Sequence, residues 1–108
     1  MQVKVTFRNT AVKEDVKKRA EEKVLKIKKF MMSPIQVSFV LSQDKLNHFA
    51  ELTVTGDGAH LTSSVTAKDY FMAIDDSIDK IIVQLKKYKD KIKTKKGAKK
   101  ASEVAGEE

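Results

Sequence analysis

Asp75, Asp76 and Asp79 crowd one short stretch of this sequence, and His48 and His60 are its only histidines. Clustered carboxylates suit metal binding or general acid–base work, and imidazoles suit both. Neither set carries the spacing that such chemistry needs. The two histidines fall in strand-like segments without companion ligands, so they read as surface or edge residues. The three aspartates fall in a helical pattern, with Asp76 four residues before Lys80, and read as solvated helix acids with one i, i+4 pair. The chain has no phosphate-binding glycine loop, no nucleophile elbow and no zinc signature. It has no cysteine, which excludes a thiolate metal site, a cysteine nucleophile and a disulfide framework. An enzyme is not expected, and no cofactor is implied.

The chemistry that the sequence does offer is positive charge. Its 108 residues carry 22 Lys and Arg against 15 Asp and Glu, a formal net charge of +7. The charge is concentrated: ten lysines and one acid, Asp90, lie between Lys80 and Lys100. Eight basic residues and four acids lie between Lys13 and Lys29. A lysine-rich helix face is often only a solvated face, but two such segments in one small chain point to a polyanionic partner, and RNA is the first macromolecular candidate in a cytoplasm. Tyr70 and Tyr88 are the aromatic candidates for base stacking. With so few aromatics, contact with phosphates by charge and shape is the better reading, as for folded RNA.

The elements that must position these lysines follow from periodicity. Val3, Val5 and Phe7 alternate with Gln2, Lys4, Thr6 and Arg8, a strand with one wet face. Val16, Ala20, Val24, Ile27 and Met31 recur at three or four residues, which predicts one amphipathic helix over 12–32, stopped by Ser33-Pro34. Three further alternating segments start at Ile35, near residue 47 and at Ala59. Gly56-Asp57-Gly58 and the stretch 43–46 are the hairpin signals between them. From Asp69, a potential N-cap, the positions Phe71, Ile74, Ile78, Ile81, Leu85, Tyr88 and Ile92 make an apolar seam. About three heptads are compatible with a coiled coil, but beside four amphipathic strands a helix packed on a sheet is expected. The expected fold is thus α+β: a two-layer β-α-β-β-β-α sandwich, a four-stranded sheet with both helices packed on one face. Residues 1–93 form the expected domain. Residues 94–108 lack apolar periodicity and are expected to be a disordered charged tail. No apolar run is long enough for a membrane span, and the alternating start MQVKVTFRN is unlike an export signal, so a reducing cytoplasm is expected.

The residues of the second helix also carry a resemblance. Asp69, Phe71, Ala73, Ile74, Asp75, Ile78, Asp79, Lys80, Gln84, Leu85, Lys87, Lys89, Asp90 and Lys91 follow the pattern D-M-Y-x-A-I-D-x-x-I-D-K-L-x-x-Q-L-x-K-x-K-D-K. Met1-Gln2, Thr6, Arg8-Asn9, Glu14, Lys23, Lys26 and Val37 extend the match through the N-terminal part without gaps, Val40-Leu41 and Ala50-Glu51 continue it, and the match covers residues 1–93. In these positions the chain resembles the short ribosome hibernation promoting factors and the related ribosome-associated inhibitors. The resemblance implies a monomer that binds the small ribosomal subunit and its rRNA between head and body. There it would occupy the path of messenger RNA and of A- and P-site transfer RNA, inhibit translation and preserve idle ribosomes, without enzymatic activity or cofactor. The runner-up, from composition alone, is a structured-RNA-binding module without ribosome specificity.

Carried over by position, the implied rRNA-binding cations are Lys23, Lys26, Lys80, Lys87, Lys89 and Lys91; Lys28, Lys29 and Lys86 enlarge the same surface. Phe71, Ala73, Ile74, Ile78 and Leu85 are the implied core positions. Four departures stand out: Phe71 replaces a usual tyrosine, Val83 a common arginine, Phe7 a common glycine, and Lys13 a frequent capping threonine. In that family some short members lack a tail and favour ribosome dimers, whereas tailed relatives oppose dimerisation; the tail here is loosely similar to the tailed kind.

Overall fold

The computed structural model describes the backbone of residues 1–32 and 35–97, and side chains as far as Asp90. Its elements are β1 (Gln2–Arg8), α1 (Glu14–Lys23), α2 (Leu25–Lys28), β2 (Gln36–Asp44), β3 (Asn47–Gly56), β4 (Ala59–Ala67) and α3 (Tyr70–Gly97). The strands form one sheet in the order β1-β2-β3-β4. β1 runs parallel to β2, with Gln2 opposite Gln36, and a parallel pair needs a crossover, which α1 and α2 supply. The other pairings are antiparallel. The expected β-α-β-β-β-α order and two-layer arrangement hold.

Each strand reads as its alternation predicts. Val37, Phe39 and Leu41 of β2 and Ala50, Leu52 and Val54 of β3 are buried toward the helices. Val3, Val5 and Phe7 of the edge strand are only half-buried but pack on the same core. The two hairpins have two-residue loops, closed by Asp44 opposite Asn47 and Gly56 opposite Ala59. In the second, Asp57 and Gly58 both have positive φ, at 51° and 76°, the type I′ pattern whose twist suits adjoining strands. Lys45 in the first loop also has positive φ.

The helix expected over 12–32 is two shorter pieces. From Val24 onward three-residue backbone bonds appear, as in Ile27 N–H to the Val24 carbonyl (2.9 Å) and Phe30 N–H to the Ile27 carbonyl (2.9 Å). This tighter winding takes up carbonyls that a helix end leaves unpartnered. It still keeps Val16, Ala20, Val24, Ile27 and Met31 in the core. The Ser33-Pro34 stop lies outside the described residues. α1 starts at Lys13 with no side-chain cap. Glu14 and Asp15 are in its first turn instead, where they favour the helix dipole.

α3 starts on its predicted cap: Asp69 Oδ1 accepts the Met72 N–H at 2.8 Å. Asp69→Ala is expected to lower the unfolding free energy by about 1 kcal/mol, measurable by urea denaturation. The helix continues through Gly97, further than its apolar seam; the remainder of the expected tail, 98–108, lies outside the described residues. Ile74, Ile78, Ile81 and Leu85 are fully buried as predicted. Phe71 is not: it is 36% exposed, and Tyr70 is buried in its place at 4%. The sheet sets this rotation. Tyr70 meets the rings of Phe7 and His48 edge-on, with centroids 6.0 and 4.6 Å away. Phe7 thereby fills space that a glycine would leave empty.

Candidate nucleic-acid interface

Side-chain contacts establish how the two helical segments run. Arg19 of α1 reaches Asp75 at 3.4 Å and lies over the Phe71 ring at 5.1 Å. Further along, Lys86 of α3 lies over the Phe30 ring at 5.6 Å. The contacts advance together along both segments, so α1–α2 and α3 are parallel. Their C-terminal ends therefore share one end of the molecule. Lys23, Lys26, Lys28 and Lys29 arrive there from one side, Lys86, Lys87 and Lys89 from the other. Glu14, Asp15, Asp69, Asp75 and Asp76 lie near the opposite end. Cations at helix C-termini also offset the partial negative charge of the terminal carbonyls.

The opposite flank of α3 is laced to β4. Ser63 Oγ donates to the Ser77 carbonyl (2.9 Å), Gln84 Nε2 to the Thr62 carbonyl (2.8 Å), and Tyr88 Oη to the Asp57 carbonyl (3.0 Å). Helical spacing then separates the lysines. Lys80 and Lys87 follow Ser77 and Gln84 by three residues, on the β4 flank. Lys86 lies on the α2 flank, where Arg19, Lys23 and Lys26 continue one stripe of α1–α2.

Of the cations expected from the sequence, Lys26, Lys28, Lys29, Lys80, Lys86 and Lys87 are exposed. Lys23 and Lys89 are half-buried, and the side chain of Lys91 lies outside the described residues. Lys89 Nζ stands 3.8 Å from the Asp57 carboxylate. Two other sequence expectations change. Tyr70 is enclosed by Phe7 and His48 and is no stacking platform, while Tyr88 is half-buried and bonded through its hydroxyl. Asp75 is paired with Arg19 rather than merely solvated. Val83 is 52% exposed, so the position where an arginine is common does face outward.

Arg19 was not among the expected cations. Its spacing of four and seven residues from Lys23 and Lys26 was the available signal. Asp57 carried none, because its carboxylate acts across elements distant in sequence. Exposed ammonium groups on a rigid two-layer body act as point charges toward phosphate oxygens. Among the described residues no group of His, Cys, Asp and Glu is placed to hold a metal ion, and no helix is long and apolar enough to cross a membrane.

Comparison with known proteins agrees with this architecture. Residues 3–93 match the family described as Sigma 54 modulation protein / S30EA ribosomal protein. The ribosome hibernation promoting factor of Escherichia coli strain K12 is 32% identical over 93 residues, covering 86% of this chain and 98% of that one. The factor of the same name from Pseudomonas putida is 26% identical over 91 residues, covering 84% and 89%. Among solved structures, the Thermus thermophilus Protein Y N-terminal domain superposes with a TM-score of 0.75 at 22% identity, over 82% of this chain and 99% of that one. A ribosomal subunit interface protein from Coxiella burnetii gives 0.72 at 19% identity, over 83% and 99%. With the fold shared and the match spanning both helical segments and all four strands, the chain belongs to the Sigma 54 modulation protein / S30EA ribosomal protein family, that of the ribosome hibernation promoting factors.

Proposed function

We propose that this protein is a ribosome-binding hibernation factor of the cytoplasm. It occupies the decoding cleft of the small subunit as a monomer, blocks the path of messenger RNA and of A- and P-site transfer RNA, and keeps idle ribosomes inactive and intact. The observation that carries the reading is the parallel packing of α1–α2 and α3, which gathers both lysine-rich segments at one end of a rigid body. Lys23, Lys26, Lys28, Lys29, Lys86 and Lys87 sit at that end, with Lys80 further back along the β4 flank. A cleft presents phosphates from several sides to a small object, and a preformed charged surface loses little conformational freedom on entering it. Kinship with ribosome hibernation promoting factors supports the same reading. It is a binding function, with no reacting group required.

The deciding experiment is a competition on purified small subunits. Labelled protein is challenged with messenger RNA and initiator transfer RNA. Mutually exclusive occupancy is expected. Binding that persists at unchanged affinity on fully loaded subunits would sink the cleft-blocking mechanism and leave a structured-RNA binder without that site.

A further inference from the structure

The β3–β4 turn touches both lysine-rich segments. Asp57 stands at its tip with φ 51°, in a conformation that aspartate and asparagine tolerate better than most residues. Its carboxylate accepts the Met32 N–H through both oxygens, at 2.9 and 3.2 Å. Met32 lies four residues beyond Lys28, the last residue of α2. The same carboxylate stands 3.8 Å from Lys89 Nζ, and the Asp57 carbonyl accepts the Tyr88 hydroxyl at 3.0 Å. One two-residue turn thus holds the chain after α2 with one group and α3 with two. The pair is not a fully solvated one: the Asp57 side chain is 15% exposed and that of Lys89 35%.

We propose that Asp57 and Lys89 are positioning residues, a brace that holds the two basic segments in register, and that Lys89 makes no phosphate contact of its own. This rests on the function proposed above for its effect on RNA binding, but the brace itself is a property of the free protein. Three features support it. Lys89 already has an anionic partner, whereas Lys86 and Lys87 are exposed. Tyr88, its neighbour, is tied to the same turn residue. The Met32 backbone bond makes Asp57 an anchor for the other segment at the same time. A lysine drawn off to a phosphate would abandon its ion pair with Asp57, and would loosen the surface that its neighbours present.

The test uses the full chain with Asp57→Asn, Lys89→Gln, the double variant, and Lys87→Gln as the exposed comparison. Asparagine keeps one acceptor oxygen for the Met32 N–H and tolerates the turn geometry, so it removes the charge and one of the two acceptor contacts while leaving the turn itself in place. In the free protein, Lys89→Gln is expected to lower the urea midpoint in the parent background and to have no further effect when Asp57 is already Asn. Equal losses in both backgrounds overturn the brace. Binding to purified small subunits is then measured across a salt titration. Lys87→Gln is expected to reduce the slope of log affinity against log salt by about 0.7–0.9, the value for one lost phosphate contact. Lys89→Gln is expected to leave that slope unchanged while weakening affinity by at most about fivefold, the upper end for a partly exposed ion pair. A slope reduced as much as by Lys87→Gln assigns Lys89 to phosphate and overturns the proposal. If the parent protein does not bind small subunits at all, the functional reading fails, and the urea experiment alone decides whether the brace exists.

Discussion

A fourfold rise in monovalent salt is expected to weaken binding to small ribosomal subunits by roughly 10²-fold. The figure assumes about five lysine–phosphate contacts, each adding 0.7–0.9 to the slope of log affinity against log salt through released counterions. Six of the expected cations are exposed on the described surface, so five simultaneous contacts are within its capacity. The expectation follows from the kind of side chain involved. Lysine meets phosphate as a hydrated point charge, without the forked geometry of arginine, and the surface has few exposed aromatics for salt-insensitive stacking. Affinity measured at low salt and again at four times that concentration decides it. Binding that is flat across the range would remove phosphate contact as the main source of affinity.

The second large effect is on stability, and it tests the orientation of α3. Leu85→Ala is expected to cost about 2–5 kcal/mol, because a fully buried leucine loses its packing and leaves a cavity. Val83→Ala, two residues earlier on the same helix, is expected to change stability by less than about 0.5 kcal/mol. Leu85 is fully buried in the core and Val83 is 52% exposed, and alanine is the better helix former at an exposed site. A domain of this size has about 5–15 kcal/mol of stability in all, so the first substitution removes a substantial part of it. Urea unfolding of both variants provides the comparison. Equal losses would mean that α3 packs through a different face.

The strands were readable because a period of two leaves little choice once one face is apolar: Ile35, Val37, Phe39 and Leu41 have nowhere else to go. The hairpins were readable because Asp57-Gly58 demands positive φ, and the start of α3 because Asp69 is a capping residue with a free N–H within reach. The break at Val24 was not readable. Apolar residues at 16, 20, 24, 27 and 31 suit one helix or two, and the choice lies in backbone bonds that side-chain spacing does not encode. The exchange of Phe71 for Tyr70 has a similar origin. Both residues flank the seam, and only the rings of Phe7 and His48, brought in by other strands, decide which turns inward. For the interface, the lysines were named by position through the family resemblance; six of them are exposed, while Lys23 and Lys89 are half-buried. Their division between the β4 and α2 flanks was not legible, nor were the pairings of Lys89 with Asp57 and Arg19 with Asp75, because each joins elements far apart in the chain.

The sheet's mixed topology bears on the order in which the molecule assembles. β2, β3 and β4 are joined by two-residue loops, so their ladders close with little loss of chain entropy. β1 lies opposite β2 only after the whole crossover has been laid down, with Gln2 reaching Gln36. Non-local pairing of this kind is slow to form. The meander therefore offers a nucleus that exists before the N-terminal strand docks, and α3, adjacent in sequence to β4, can collapse onto it early. β1 is then the last strand in. It is also an outer strand held by one ladder, with Val3, Val5 and Phe7 only half-buried, so it is the first segment free to peel away in a sub-global opening. Its departure would bare the edge of β2 while leaving the meander and α3 in place.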